Sequence, residues 1–349
     1  MFELCAKNSN RCRCFNITVV IFKLYRNLPL YLLTWKIAPC IASGCTAVCK
    51  PSEFTSMTAW LLCKAFRDAG LPDGVVNICF GTGPIAGAAL VTDHRLNGIS
   101  FTGGTATGKY IYQEAAKLNI KVSLELGGKN ANIIFDDADF DLALTTSIRS
   151  SFLNQGEICL CGSRIFVHHS IYQKFIDQFV KLANEMVVGD PLDPAVQLGA
   201  LVSDTHLQKV LSYVEIAKQE GGKILTGGSR LNQKGYFMRP TIITELHATE
   251  SRLQQEEIFG PVVTVTPFDT DDEVVAYANS TQFGLSASIW TKNLSRAHLV
   301  ASQLEVGTVW VNTWMNRDLN MPFGGVKKSG LGREGRSDSM DFYTEVLYS

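Results

Sequence analysis

Three observations predict an α/β fold. Short apolar or β-branched runs alternate with amphipathic stretches, glycine-rich turns follow the runs, and 349 residues suffice for two domains with a sizeable core. Strands separated by helices pair in parallel through right-handed crossovers. The expected frame is therefore an open sheet of the kind that holds a nucleotide at its carboxyl edge.

Residues 1–22 read unlike the remainder, with three cysteines, scattered basic residues and a β-branched run ending at Phe22. That run suits a buried strand, although nothing ahead of it offers a pairing partner. From Asn27 the pattern becomes regular. LPLYLLTWKIAPCIASG has helical spacing, and CTAVCKPSE is a short strand running into a loop. Thr55 to Ala69 reads as a helix closed by Gly70, Pro72 and Gly74, ahead of the strand VVNICF. The turn GTGPIAG opens a further helix, NGISFTGG is a strand, Thr105 to Lys117 a helix, and KVSLELGG a strand again.

Two of these turns, Gly81 to Gly87 and Phe101 to Gly108, connect a strand to a helix. Their backbone amides and the helix N-terminus suit a pyrophosphate, although neither has GxGxxG spacing. The stretch Lys50-Pro51-Ser52-Glu53 adds a cation and an acid at a strand end, a pair suited to ribose hydroxyls. Glu53 would repel a 2′-phosphate, which favours NAD over NADP.

Composition excludes several partners. With 46% apolar and 19% charged residues and a net charge of −1, the chain lacks the basic excess that attracts nucleic acid or anionic lipid. The apolar runs 17–21 and 28–35 are interrupted by Lys23, Arg26 and Asn27, too soon for a membrane span. The ten cysteines show no disulfide or zinc spacing, which predicts reduced thiols and a cytoplasmic setting. His168, His169 and His206 lack metal-ligand spacing and read as surface or structural residues, so no metal is implied.

Most cysteines fill space, but Cys159 lies within Asn154 to Arg164, NQGEICLCGSR, polar and turn-like on both sides, which suits a nucleophile. Cys161 nearby reads as a small buried filler. Glu125 ends the alternating run of VSLELGGKN, and Gly127 and Gly128 follow it. A carboxylate at a strand end, beside backbone that a ligand can approach closely, is well placed as a general base.

Together NQGEICLCGSR, SLELGGKN, KPSE, FTGGTATG, EEIFGPV, VWVN and PFGGVKKSGLGRE resemble the aldehyde dehydrogenase superfamily, from Asn27 nearly to the end. The resemblance implies the aldehyde dehydrogenase fold: a Rossmann-like NAD-binding domain, an α/β catalytic domain and an oligomerisation arm. It implies Cys159 as nucleophile, Glu125 as general base and Asn27 as oxyanion donor. It further implies Lys50, Ser52 and Glu53 at the adenosine ribose, Gly103, Gly104 and Gly108 at the phosphate turn, and Glu257 with Phe259 at the nicotinamide ribose. NTWMNRDLNMPFGG resembles the muconic semialdehyde branch, the 2-aminomuconic and 2-hydroxymuconic enzymes, in which an arginine meets a substrate carboxylate; here it is Arg317. A surface ion pair with Asp318 is the alternative for that side chain, and a retinal-type or broad-specificity aldehyde the alternative substrate.

The implied domains are an atypical segment over 1–22, a shortened NAD-binding domain over 23–128, a catalytic domain over 129–328, and a return to the NAD domain with a partial arm over 329–349. About 22 unfamiliar residues stand where the family carries a long leading segment, Arg26 replaces the family's tryptophan before Asn27, and the chain ends at YTEVLYS, short of the family's arm. These departures set a second expectation beside the first: an inactive, truncated fragment rather than a working, homo-oligomeric enzyme. Thiol-dependent ester hydrolysis, which needs only Cys159 and oxyanion donors, is a third.

Overall fold

The computed structural model describes residues 12–13, 18–22, 27–231 and 234–346; Arg26 and most of the segment 1–22 lie outside them. The chain divides into two compact units, one of residues 1–126, 318–324 and 330–349, the other of 127–317 and 325–329. No described helix is long and apolar enough to cross a membrane.

In the first unit a six-stranded sheet runs Gly330–Leu331, Lys121–Glu125, Gly98–Thr102, Thr18–Phe22, Thr46–Lys50, Val76–Ile78. Every pairing is parallel except that of Gly330–Leu331. The β-branched run is thus an interior strand. Thr18–Phe22 pairs with Gly98–Thr102 on one side and Thr46–Lys50 on the other. Its partners all follow it in the chain, so the lack of one ahead of it did not matter. Chain order reverses at this strand, the switch point of a doubly wound sheet, where ligands sit beyond the strand carboxyl ends.

The helices that cover this sheet follow the apolar spacing. Pro29–Ala42 starts with proline at its first position and buries Leu33, Ile37 and Cys40, at the four- and three-residue steps of one helical face. Thr105–Leu118 buries Ile111 and Ala115 against Ile99, Phe101 and Leu124. It ends at Asn119 in a left-handed conformation, φ 54°.

The second unit holds a seven-stranded sheet ordered Thr308–Val311, Ser286–Trp290, Ala131–Ile134, Arg164–His168, Val262–Phe268, Thr241–Thr244, Lys223–Thr226. Only the last pairing is antiparallel. Its central strands are apolar on both faces, as parallel strands between helix layers must be. Ile165, Val167, Val263 and Val265 pack with Phe175 and Phe179 of helix His169–Glu185.

Candidate active site

In the second unit the helix Phe140–Phe152, capped by Asp139 Oδ1 on the Leu142 amide at 3.2 Å, leads into the nucleophile segment. Asn154, Gln155 and Gly156 then take left-handed backbone in succession, φ 52°, 58° and 69°. Two of them carry side chains, at a conformational cost of about 1 kcal/mol each. The third must be glycine, because a Cβ on Gly156 would lie 2.3 Å from the Gly260 carbonyl oxygen.

This tight turn delivers Cys159, half-buried, and Cys161, buried. Burial pushes the Cys161 thiol up to about 12, so it stays protonated and inert at neutral pH. The backbone around Cys159 is held by side chains. Asn130 Nδ2 donates to the carbonyls of Cys159 at 2.7 Å and Cys161 at 2.8 Å, and its Oδ1 accepts the Ser286 amide at 3.1 Å. Trp314 Nε1 donates to the Leu160 carbonyl at 2.9 Å. Three consecutive carbonyls therefore each have a buried side-chain donor.

The preceding stretch is fixed just as closely. Ser329 Oγ donates to the Gly127 carbonyl at 2.6 Å, the Gly128 amide donates to Glu257 Oε1 at 3.0 Å, and Arg164 Nε donates to the Lys129 carbonyl at 2.9 Å. Arg164 is 1% exposed, and its other nitrogens hold the carbonyls of Tyr277 and Ala278. A Cβ on Gly127 would lie 2.3 Å from Glu257 Oε2, and one on Gly128 2.6 Å from the Cys159 carbonyl, so both glycines allow close approach. Burial raises the Glu257 carboxyl above its ordinary value, opposed by the Gly128 amide, Lys209 and Lys129. Lys129 is driven down to about 7, chiefly by burial, and its Nζ has no hydrogen-bond partner among the described residues. Phe259 is buried with φ 62°. Arg317 is half-buried, in a loop fixed by Trp314 and by Trp310 Nε1 on the Asn316 carbonyl at 3.0 Å.

In the first unit Glu125 is 6% exposed at the end of its strand. Its carbonyl accepts the Gly103 amide at 2.9 Å, and a Cβ on Gly324 would lie 2.9 Å from its Oε1. Asn27 is half-buried in the turn that opens helix Pro29–Ala42. The same helix supplies Trp35 and Lys36, which both bind the carboxylate of Glu334.

A cavity of about 460 Å³ in this unit is lined by Lys50, Gly87, Val91, Phe101, Tyr110 and Ile111 among others. Lys50 is 1% exposed; its Nζ donates to the Pro51 and Gly81 carbonyls at 2.8 Å and lies 4.0 Å from Glu53, which is exposed. Ser52 is buried, and its Oγ accepts the Phe54 amide at 3.4 Å. At Gly103 and Gly108 a Cβ would meet the Phe101 ring at 2.0 Å and Leu126 at 2.4 Å respectively, so neither position has room for a side chain. Gly104 is exposed at the N-terminus of helix Thr105–Leu118, with no side-chain cap, and the buried hydroxyls of Thr102 and Thr105 have no partner among the described residues. An apolar slot, an uncapped helix N-terminus and two unused hydroxyls at a sheet switch point suit an adenine nucleotide with its diphosphate.

Sequence reasoning passed over Asn130, Arg164 and Trp314. Asn130 and Arg164 stood inside quoted motifs, but nothing local signals a side chain that binds distant carbonyls. His206 read as surface or structural; it is 6% exposed and lies within 3.1 Å of Glu157 in the nucleophile segment. No group of three or more His, Cys, Asp or Glu side chains among the described residues could hold a metal.

The model of the aldehyde dehydrogenase family matches residues 25–348. The 2-aminomuconic semialdehyde dehydrogenase of Mus musculus is 54% identical over 327 residues, 92% of this chain and 67% of that protein. The 2-hydroxymuconic semialdehyde dehydrogenase of Pseudomonas sp. (strain CF600) is 47% identical over 326 residues, with the same two coverages. Among solved structures, the NAD+ complex of an aldehyde dehydrogenase from Bacillus cereus superposes with a TM-score of 0.93 at 43% identity, covering 96% of this chain and 68% of that one. The chain thus spans about two thirds of the length of these relatives.

Proposed function

The chain belongs to the aldehyde dehydrogenase family, and from that premise we propose that it oxidises a carboxylate-bearing semialdehyde of the muconic type to the acid, with NAD as acceptor. The observation that carries this reading is the contrast between two thiols two residues apart. Cys161 is buried and inert, while Cys159 is half-exposed on a backbone whose neighbouring carbonyls are all held.

The thiolate of Cys159 attacks the aldehyde carbon, and the carbonyl oxygen becomes an oxyanion, for which the Cys159 amide and the side chain of Asn27 are the proposed donors. With the Ile158 carbonyl ahead of it held by the Cys161 amide and the Cys159 carbonyl after it held by Asn130, the Cys159 amide needs no reorientation as that charge develops. NAD, when bound, accepts the hydride that leaves this carbon, and a thioester remains on Cys159. Glu125, a buried carboxylate at a strand end, takes a proton from water, whose oxygen attacks the thioester carbon; the C–S bond breaks, the acid leaves, the Cys159 thiolate is restored, and Glu125 passes its proton to solvent.

The adenosine end of NAD is assigned to the cavity beside Lys50, Ser52 and Glu53, its diphosphate to Gly104, Thr102 and Thr105, and its nicotinamide ribose to Glu257 and Phe259. The Thr102 and Thr105 hydroxyls, buried without a partner among the described residues, support this assignment. Arg317 supports a carboxylate-bearing substrate through its planar fork, as do the muconic substrates named for the relatives. The family arm makes a homo-oligomer the proposed assembly, and the free thiols fit a reducing, cytoplasmic setting.

The reading is tested by intact mass after mixing the Glu125→Gln variant with aldehyde and NAD. An acyl adduct that accumulates on Cys159, and does not persist in the wild-type chain, is expected. Adduct formation at another cysteine, or none in either chain while NADH forms, would overturn the assignment.

A further inference from the structure

His206 lies in the first turn of helix Asp204–Gln219, where its amide donates to Ser203 Oγ at 3.2 Å. Its Nε2 is 2.6 Å from the Phe259 carbonyl oxygen and 3.1 Å from Glu157 Oε1. A carbonyl oxygen only accepts, so Nε2 carries a hydrogen and the Glu157 carboxylate lies beside that N–H. The imidazole also meets the Phe259 ring edge-on, centroids 6.3 Å apart.

Glu157 stands two residues before Cys159, and Phe259 two residues after Glu257. One buried ring therefore touches both the segment that carries the thiol and the segment assigned to the nicotinamide ribose. The same two segments pack against each other at Gly156 and Gly260, with no room for a Cβ.

We propose that His206 is a positioning residue that ties the nucleophile segment to the cofactor-facing segment and so sets the spacing between Cys159 and the nicotinamide end of the cofactor. The proposal rests on the roles assigned above to Cys159 and Phe259. A buried carboxylate beside an imidazole is a poor way to gain stability, since apolar residues of similar size commonly do as well. Placement is what this pair supplies.

The experiment compares amide hydrogen exchange over residues 154–161 and 257–260 with steady-state kinetics in three variants. His206→Leu removes the donor at similar volume, His206→Gln keeps an N–H, and Glu157→Gln keeps the shape without the charge. In His206→Leu, exchange in both segments rises about tenfold and kcat falls about 30-fold, while KM for the aldehyde stays within about threefold. His206→Gln recovers to within about fivefold of wild type, because its amide can still hold the Phe259 carbonyl. Glu157→Gln raises exchange in 154–161 and leaves 257–260 unchanged. If exchange in His206→Leu rises only within its own helix, or His206→Gln is no better than His206→Leu, the tether is wrong. Should His206→Leu fail to fold, His206→Asn, whose donor is too short to reach Phe259, takes its place. Exchange does not depend on turnover, so an inactive wild-type chain would overturn the proposed function while this arm still decides the tether.

Discussion

The nucleophile segment of one unit and the glycine-rich turns of the other meet opposite demands. The carbonyls of Cys159, Leu160 and Cys161 are already bound, by Asn130 or Trp314, and three successive left-handed residues hold the turn before them. Around the cavity beside Lys50 the helix N-terminus is uncapped, and the Thr102 and Thr105 hydroxyls are buried without a partner among the described residues. The first arrangement is complete before any ligand arrives. The second has polar groups that a ligand would satisfy. Chemistry requires atoms placed in advance, whereas binding gains from groups held in reserve.

That contrast predicts different consequences for single substitutions. Asn130→Ala removes three hydrogen bonds at once, two of them buried, so kcat should fall about 100-fold and stability by about 2–4 kcal/mol, with NAD affinity nearly unchanged. Steady-state kinetics with urea unfolding checks both; a pure loss of NAD affinity would erase the distinction between the regions.

Lys129 sharpens the same side of the comparison. Burial lowers its folded value to about 7 from 10.5, so between these two values the unfolded chain binds a proton that the folded chain does not. Stability should therefore rise with pH from about 7 to 10.5, and below about 7, where both states hold the proton, this group should add no further slope. Lys129→Met should flatten that rise in unfolding midpoints measured across the window, and an identical slope in the variant would assign it elsewhere.

Thr105→Val is the smallest expected effect and the most specific. Its hydroxyl has no partner to lose among the described residues, so stability should hold while NAD binds about three- to tenfold more weakly and kcat stays the same. Isothermal titration calorimetry reads the affinity. A drop in stability with unchanged affinity would make that hydroxyl structural.

What the sequence made legible follows the same division. Periodicity exposed the alternating strands and helices, and glycine with its polar neighbours exposed the turns and Cys159, because these signals lie within a few residues. The central place of Thr18–Phe22 was hidden, since its partners come later in the chain. Gly103 and Gly108 read as glycines of a phosphate turn; that their missing Cβ atoms also make room for Phe101 and Leu126 is a packing fact with no local mark. Asn130, Arg164 and His206 were hidden for a related reason. Each binds backbone at least 29 residues away, and such bonds leave no pattern in the sequence around them.

The central claim, that this chain oxidises a carboxylate-bearing semialdehyde through Cys159, is tested most directly by NADH formation from NAD with a muconic semialdehyde and, separately, a simple aliphatic aldehyde. Turnover that favours the semialdehyde and vanishes in Cys159→Ala is the predicted result. Folded protein that binds NAD but forms no NADH with either aldehyde, or turnover that survives Cys159→Ala, would contradict it.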